Sequence, residues 1–203
     1  MLAEILHRVV AHPAVYDAVQ NLAGTAELDR RVGATLGALP QRPRILDVGG
    51  GTGLPAALWP DGAFYVCLDI DPIKLAGFRR KRRPGTPVCG DATRLPLRSG
   101  SLDLVVCKNV SHHLSDNDVA GLFRECARVL KTGGRMLFMD AVRTPDRWRN
   151  RLLWRYDRGS HPRSIEALRH AMAAEFQITH WEVLTTQHRF VLGAGTPNPG
   201  VGC

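Results

Sequence analysis

The stretch Ile45-Leu46-Asp47-Val48-Gly49-Gly50-Gly51-Thr52-Gly53 runs an apolar segment into a carboxylate and then places four glycines in five positions. Ile45, Leu46 and Val48 suit a buried parallel strand, and glycines, lacking a Cβ, let the backbone turn sharply and approach a ligand closely. The expected product is a pocket of nucleotide type at the carboxyl end of a strand. A tight strand-to-helix turn with no ligand satisfies the same nine residues, so the rest of the chain has to decide.

Downstream, Leu54 to Trp59 leaves room for a short helix before Pro60-Asp61-Gly62. Phe64 to Asp71 reads as a strand ending in two acidic residues, Asp69 and Asp71, at about the 20-residue offset where a carboxylate meets a ribose in dinucleotide sites. Pro72 starts a helix that ends in Arg79-Arg80-Lys81-Arg82-Arg83. Cations at a helix C-terminus complement its dipole, so a solvated face is preferred here to a phosphate-binding patch. Pro87-Val88-Cys89 leads into Gly90-Asp91-Ala92-Thr93. The near-continuous apolar run Leu102 to Cys107 predicts a central strand that delivers Lys108 to Leu114 into a loop on the pocket side.

Ser115, with Asp118 three residues on, resembles a capping box, and the following helix runs through Val119, Leu122, Phe123, Cys126, Val129 and Leu130. Lys131-Thr132-Gly133-Gly134 stops it, and Arg135 to Val142 gives another strand. Ser164 caps a helix from Ile165 to Phe176. Two strands, Gln177 to Leu184 and His188 to Leu192, are linked too briefly for anything but antiparallel pairing. The Gly- and Pro-rich stretch from Gly193 to Cys203 is expected to be loose. Upstream of the glycines, apolar spacing predicts two short helices before Gly24 and a third, capped by Thr25, through Leu28, Val32, Leu36 and Leu39. Packing on the sheet is the preferred role for this preface, ahead of a cover over the pocket or a membrane-surface helix.

The chain has 203 residues, 44% of them apolar and 23% charged, which fits one α/β domain with a real core. A formal net charge of +8 favours anionic ligands, acidic surfaces or nucleic acid without choosing among them, and an Arg-rich proteome explains it equally well. Five cysteines without a CxxC pair read as buried thiols of a reducing compartment, so the cytoplasm is expected. His7 and Arg8 interrupt the first apolar segment, which argues against a signal peptide or a membrane span. Arg143 to Arg163 interleaves seven arginines with Trp148, Trp154 and Tyr156. It reads either as a cap facing an anionic substrate or as an amphipathic helix with solvated arginines. No metal-ligand spacing is present, and adjacent His112 and His113 point opposite ways on an extended strand.

In order and spacing these signals resemble the class I S-adenosylmethionine-dependent methyltransferases, in the small-molecule (type 11) branch that includes the ubiquinone/menaquinone-type C-methyltransferases. The residues that carry the resemblance are Asp47, Gly49, Gly51 and Gly53; Leu68-Asp69-Ile70-Asp71; Gly90-Asp91-Ala92; Leu102 to Leu114; and Leu130 to Arg135. The resemblance implies a Rossmann-like α/β fold with a seven-stranded, mostly parallel sheet, one antiparallel C-terminal strand, and helices on both faces. It divides the chain into an N-terminal helical cap (1–40), the methyltransferase domain (41–195) and a flexible tail (196–203).

For the cofactor S-adenosyl-L-methionine, the resemblance implies a glycine turn approaching the methionine moiety and Asp47 engaging its amino group directly or through water. Asp69 would meet the ribose hydroxyls and Asp91 the adenine amino group, with Ile70 or Ala92 packing on the adenine. Asn109 and Val110 would line the edge between the donor methyl and the acceptor. A general base is needed only for an acceptor that arrives protonated, and His112 and His113 are the candidates. No Asn/Asp-Pro-Pro-Tyr element follows the central strand, so O- or C-methylation of a small acidic or aromatic metabolite is favoured over amino-group methylation. Two other readings stay open. A nicotinamide-dependent oxidoreductase is compatible with the G-x-G-x-x-A match at Gly51 to Ala56. An RNA-binding or RNA-methylating protein would use the two Arg-rich segments, though no recognised nucleic-acid motif accompanies them.

Overall fold

The computed structural model describes residues 25–54, 58, 60–81, 84–142, 161–185 and 189–200. The expected helices before Gly24 and over Leu54 to Trp59, and most of the Arg143 to Arg163 segment, lie outside these residues. Among the described residues, seven strands form one sheet: β1 (Arg44–Val48), β2 (Phe64–Asp69), β3 (Thr86–Cys89), β4 (Leu102–Lys108), β5 (Leu130–Ala141), β6 (Phe176–Thr185) and β7 (Arg189–Pro197). Their order is β3-β2-β1-β4-β5-β7-β6. Strands β1 to β5 pair in parallel, and β7 runs antiparallel to both β5 and β6. The mostly parallel sheet with one reversed C-terminal strand is therefore present as expected.

Four α-helices are described: α1 (Thr25–Leu36), α2 (Pro72–Arg80), α3 (Asp116–Val129) and α4 (Ile165–Ala173). Two apolar clusters sandwich the sheet. One joins Leu46, Val105 and Phe138 to Phe123 and Cys126 of α3 and Met172 of α4. The other joins Ile45, Leu104 and Leu137 to Val32 and Leu36 of α1 and to Leu75 and Phe78 of α2. Alternate strand residues thus feed opposite faces, which is why the parallel strands are apolar almost throughout.

Several boundaries differ from the sequence expectation for identifiable reasons. β2 ends at Asp69 because Asp71 leaves the ladder to cap α2, its Oδ1 accepting from Ile73 N at 2.8 Å. The Lys131 to Gly134 stop is an excursion inside β5: Leu102 pairs with Leu130 but Leu104 with Arg135, and Gly133 takes φ 77°. Helix α4 ends at Ala173, since Phe176 turns into the core as the first residue of β6. Of the stretch expected to be loose, residues 201–203 lie outside the described residues, and its first part is strand. Gly193 to Pro197 complete β7, because glycine leaves room for Trp181 across the pair, where a Cβ at Gly193 would lie 2.7 Å from the indole ring. Asn198 then donates from its backbone N–H to Glu175 O at 2.9 Å. Cys67, Cys107 and Cys126 are buried thiols as expected, whereas Cys89 is exposed at the end of β3.

Candidate active site

Strands β1 to β5 end on one edge of the sheet, and every sequence-predicted site residue lies on or just beyond it. In spatial order that crest carries Asp91 after β3, Asp69 on β2, the glycine turn after β1, Asn109 to His113 after β4, and Asp140 on β5. At about 4.8 Å per strand the line spans roughly 19 Å. β1 sits between β2 and β4, the switch point where ligands bind in open α/β sheets.

Gly49, Gly51 and Gly53 take φ of 66°, 57° and 87°, values that only glycine adopts without strain. A Cβ on Gly49 would also collide with Val110 Cγ2. Gly51 is buried, and a Cβ on it would lie in van der Waals contact with Lys74 Cδ at 3.6 Å and Asp69 Oδ2 at 3.8 Å. The turn is tied to β2, with Gly50 N donating to Leu68 O at 3.0 Å and Gly51 N to Asp69 Oδ2 at 2.9 Å. Asp71 N donates to the other oxygen, Asp69 Oδ1, at 2.8 Å. Asp69 is 4% exposed, and the next residue, Ile70, is 73% exposed. Asp91 is exposed, and its Oδ1 accepts from Thr93 N and Thr93 Oγ1 at 2.8 Å each. Ala92 packs against the core cluster, so of the two apolar candidates only Ile70 offers an open surface.

Asp47 is brought to the turn but lies beneath it, 1% exposed. Tyr65 Oη donates to its Oδ2 at 2.5 Å and accepts from Leu54 N at 3.2 Å. Burial pushes the Asp47 carboxyl up to about 7, against the lowering effects of the Tyr65 hydrogen bond and of Lys108. The same burial, with the carboxylate alongside, drives the Tyr65 hydroxyl far above its ordinary value. The Tyr65 hydroxyl bridges Asp47 and Leu54 N and so ties the two ends of the glycine turn together. Sequence reading missed Tyr65; its only signal is a polar atom in an otherwise apolar strand.

Lys81 was grouped with a solvated cationic run. Arg79 and Arg80 are exposed, but Lys81 folds back and its Nζ donates to Thr52 Oγ1 at 3.0 Å. Arg82 and Arg83 lie outside the described residues.

Beyond β4, Asn109 takes φ 56°, a left-handed conformation that asparagine tolerates better than most residues. Its Oδ1 is buried and has no hydrogen-bond partner among the described residues. Ser111–His113 form a 3₁₀ turn rather than an extended segment, so the His112 and His113 rings lie on one side with centroids 4.1 Å apart. His112 is buried and His113 exposed. Asp140, fully buried, accepts from His112 Nδ1 through Oδ1 at 2.5 Å. Its Oδ2 accepts from Ser111 N at 2.7 Å, Ser111 Oγ at 2.5 Å and His112 N at 3.3 Å. Arg163 clamps the same turn, donating to Ser111 O and Leu114 O at 2.7 Å each and pairing with Asp116 at 2.8 Å. Its side chain is only 9% exposed, which corrects the solvated-arginine reading at this position. The sequence gives no sign of Asp140, and it marks Arg163 only as the last of the seven arginines in the Arg143 to Arg163 segment. A cavity of about 580 Å³ between α3 and α4 touches Asp116, His161 and Arg163 but none of the predicted site residues, so the crest remains the candidate site.

A family model described as a methyltransferase domain matches residues 46–138, which include the glycine turn, Asp69, Asp91 and the β4 loop. Over those residues the chain is similar to the methyltransferase domain family. It is 40% identical over 115 residues to a demethylmenaquinone methyltransferase of Beutenbergia cavernae, covering 55% of this chain and 47% of that one. It is 37% identical over 129 residues to a malonyl-[acyl-carrier protein] O-methyltransferase of Methylococcus capsulatus, covering 57% and 45%. The chain thus spans less than half the length of either. A putative methyltransferase from Haloferax volcanii, solved in complex with the Trm112 activator, superposes with a TM-score of 0.77 at 16% identity over 93% of this chain and 96% of that one. The fold of the described residues is therefore shared with solved methyltransferase structures, as expected. Among the described residues no helix is long and apolar enough to cross a membrane.

Proposed function

We propose that the crest binds S-adenosylmethionine and that the protein transfers its methyl group to a small acceptor. One observation carries this reading: carboxylate acceptors, a glycine turn and an exposed apolar side chain follow one another along the strand ends in the order the cofactor needs. Asp69 and Asp91 supply acceptors for ribose hydroxyls and an adenine amino group, on either side of exposed Ile70. The left-handed glycine turn lets the backbone approach the methionine moiety, and Asn109 Oδ1, which has no hydrogen-bond partner among the described residues, offers a further acceptor. Asp47, being covered, serves by holding the turn and Tyr65 rather than by touching the cofactor.

When bound, the sulfonium supplies a methyl group already activated for in-line displacement, so positioning and exclusion of water are the protein's main contributions. The acceptors named for the two relatives, a menaquinone precursor and a carrier-bound malonyl group, support a small acidic or aromatic acceptor here. Free thiols at Cys67, Cys107 and Cys126 support the reducing, cytoplasmic setting. The dinucleotide alternative loses ground because Asp91 and the reversed β7 have no role in it.

Calorimetric titration tests the proposal. S-adenosylmethionine and S-adenosylhomocysteine are expected to bind and nicotinamide dinucleotides are not. Asp91→Ala and Asp69→Asn should each weaken binding at least about tenfold, the loss of one charged hydrogen bond. Normal binding by both folded variants would remove the site assignment.

A further inference from the structure

We propose that Asp29 of α1 sets the preference of the donor site for S-adenosylmethionine over S-adenosylhomocysteine, by neutralising Lys108 at the end of β4 beside the glycine turn. The inference rests on the methyltransferase reading above and deepens it, adding a residue from outside the crest that acts on the cofactor through its charge.

The Lys108 ammonium pairs with the Asp29 carboxylate, 79 residues away along the chain, and the two side chains are only 14% and 22% exposed. The alternation of strand residues explains the meeting. Leu104 and Val106 of β4 belong to the apolar cluster that also holds Val32 and Leu36 of α1, and Lys108, two residues on, emerges on the same side of the sheet. Asp29 lies three residues before Val32, nearly one helical turn, and so on the same face of α1.

The charge of Lys108 reaches the glycine turn. It acts on the Asp47 carboxyl beneath that turn, lowering it against the larger effect of burial. Two residues beyond Lys108, Val110 Cγ2 fills the space that a Cβ on Gly49 would need. Asp47 does not balance the ammonium: burial pushes its carboxyl up to about 7, so near neutral pH it carries less than a full negative charge. Lys81, at Thr52, brings a second cation to the same turn. Asp69 supplies a carboxylate, but both its oxygens already accept from the backbone N–H groups of Gly51 and Asp71. Asp29 is therefore the counter-charge that Lys108 receives from outside the motif. S-adenosylmethionine carries one positive charge more than S-adenosylhomocysteine, on its sulfur. An unbalanced ammonium beside the turn opposes the donor and leaves the product almost untouched.

Calorimetric titration of both ligands tests this without turnover, read as the ratio of Kd for S-adenosylmethionine to Kd for S-adenosylhomocysteine. Asp29→Asn should raise that ratio about fivefold, almost wholly by weakening S-adenosylmethionine. Lys108→Met should lower it below the wild-type value. Asp29→Asn combined with Lys108→Met should return it to within about twofold of wild type, since neither charge is left. Asp29→Glu, which keeps the charge, should keep the wild-type ratio. The rise in Asp29→Asn should shrink between about 0.05 and about 0.5 M salt, because a partly exposed charge is screened.

Weaker binding of both ligands by the same factor in Asp29→Asn would make the pair a structural brace of α1 and overturn the proposal, and an unchanged ratio would do the same. S-adenosylhomocysteine binding doubles as the check that each variant keeps its site folded. Should Asp29→Asn lose both ligands, Lys108→Met decides, and a ratio that does not fall there overturns the proposal. Failure of the wild type to bind either ligand defeats the methyltransferase reading itself. Wild-type binding with a ratio that no variant moves confines the failure to the Asp29–Lys108 pair.

Discussion

The two halves of the crest are made of different materials. On the β1–β3 side, the groups proposed to meet the cofactor are backbone amides and carboxylates within a few residues of a strand end, and their partners are nearby turns. On the β4–β5 side, the working geometry is a side-chain network: Asp140 reaches 28 residues back to His112, and Arg163 reaches 52 back to Ser111. The first half is stiff because its chain conformation permits little else. The second is stiff only while its buried polar groups stay mutually satisfied, since leaving one unpaired costs about 1–3 kcal/mol.

The largest effect expected from this contrast concerns Asp47, the buried carboxyl under the donor half. Its folded value of about 7 lies above the ordinary 3.8, so the folded protein holds a proton that the unfolded chain releases. The stability this contributes is full below about pH 4 and is lost as pH rises through about 7, up to roughly 4 kcal/mol at 1.36 kcal/mol per unit. Denaturant unfolding from pH 4 to 8 should show that decline, and Asp47→Asn should flatten it; a decline undiminished in Asp47→Asn would mean another group is responsible.

Gly49→Ala comes next, at about 3 kcal/mol, because the new Cβ combines a left-handed φ with a collision against Val110. It should disturb both halves at once, lowering the midpoint of unfolding and weakening S-adenosylhomocysteine binding. Arg163→Gln should cost about 2 kcal/mol through the carbonyls of Ser111 and Leu114, with little from the ion pair because Asp116 is exposed. It should leave cofactor affinity within about twofold, and a larger loss would show that the halves are not separable. Lys81→Met is the smallest, below about 1 kcal/mol, since one partly exposed hydrogen bond to Thr52 is removed; thermal unfolding measures it.

The donor half was largely legible in the sequence. A glycine turn after an apolar run has a local cause, and so do a carboxylate at a strand end and a Pro72 helix start, so their order along the chain survives folding. Asp47 was legible as a member of the motif and not as a buried partner of Tyr65, because the hydroxyl that covers it comes from the neighbouring strand. His112 and His113 were equivalent as residues. What separates them is a 3₁₀ turn that buries one ring and exposes the other, together with a carboxylate from β5. The expected loose stretch from Gly193 failed for a related reason: glycine-rich sequence reads as irregular unless a facing indole, here Trp181, needs the room.

By itself the sequence determined the class of fold, the donor-side motif and the set of strands, because hydrophobic periodicity, glycine and strand-end carboxylates act over a few residues. Only the tertiary structure decided which histidine is held, that Asp140 and Arg163 hold its turn, and that Asp47 is sealed beneath the glycines. Those choices depend on burial and on hydrogen bonds between strands and loops 18 to 52 residues apart, whose energies exist only once the sheet has brought the partners together.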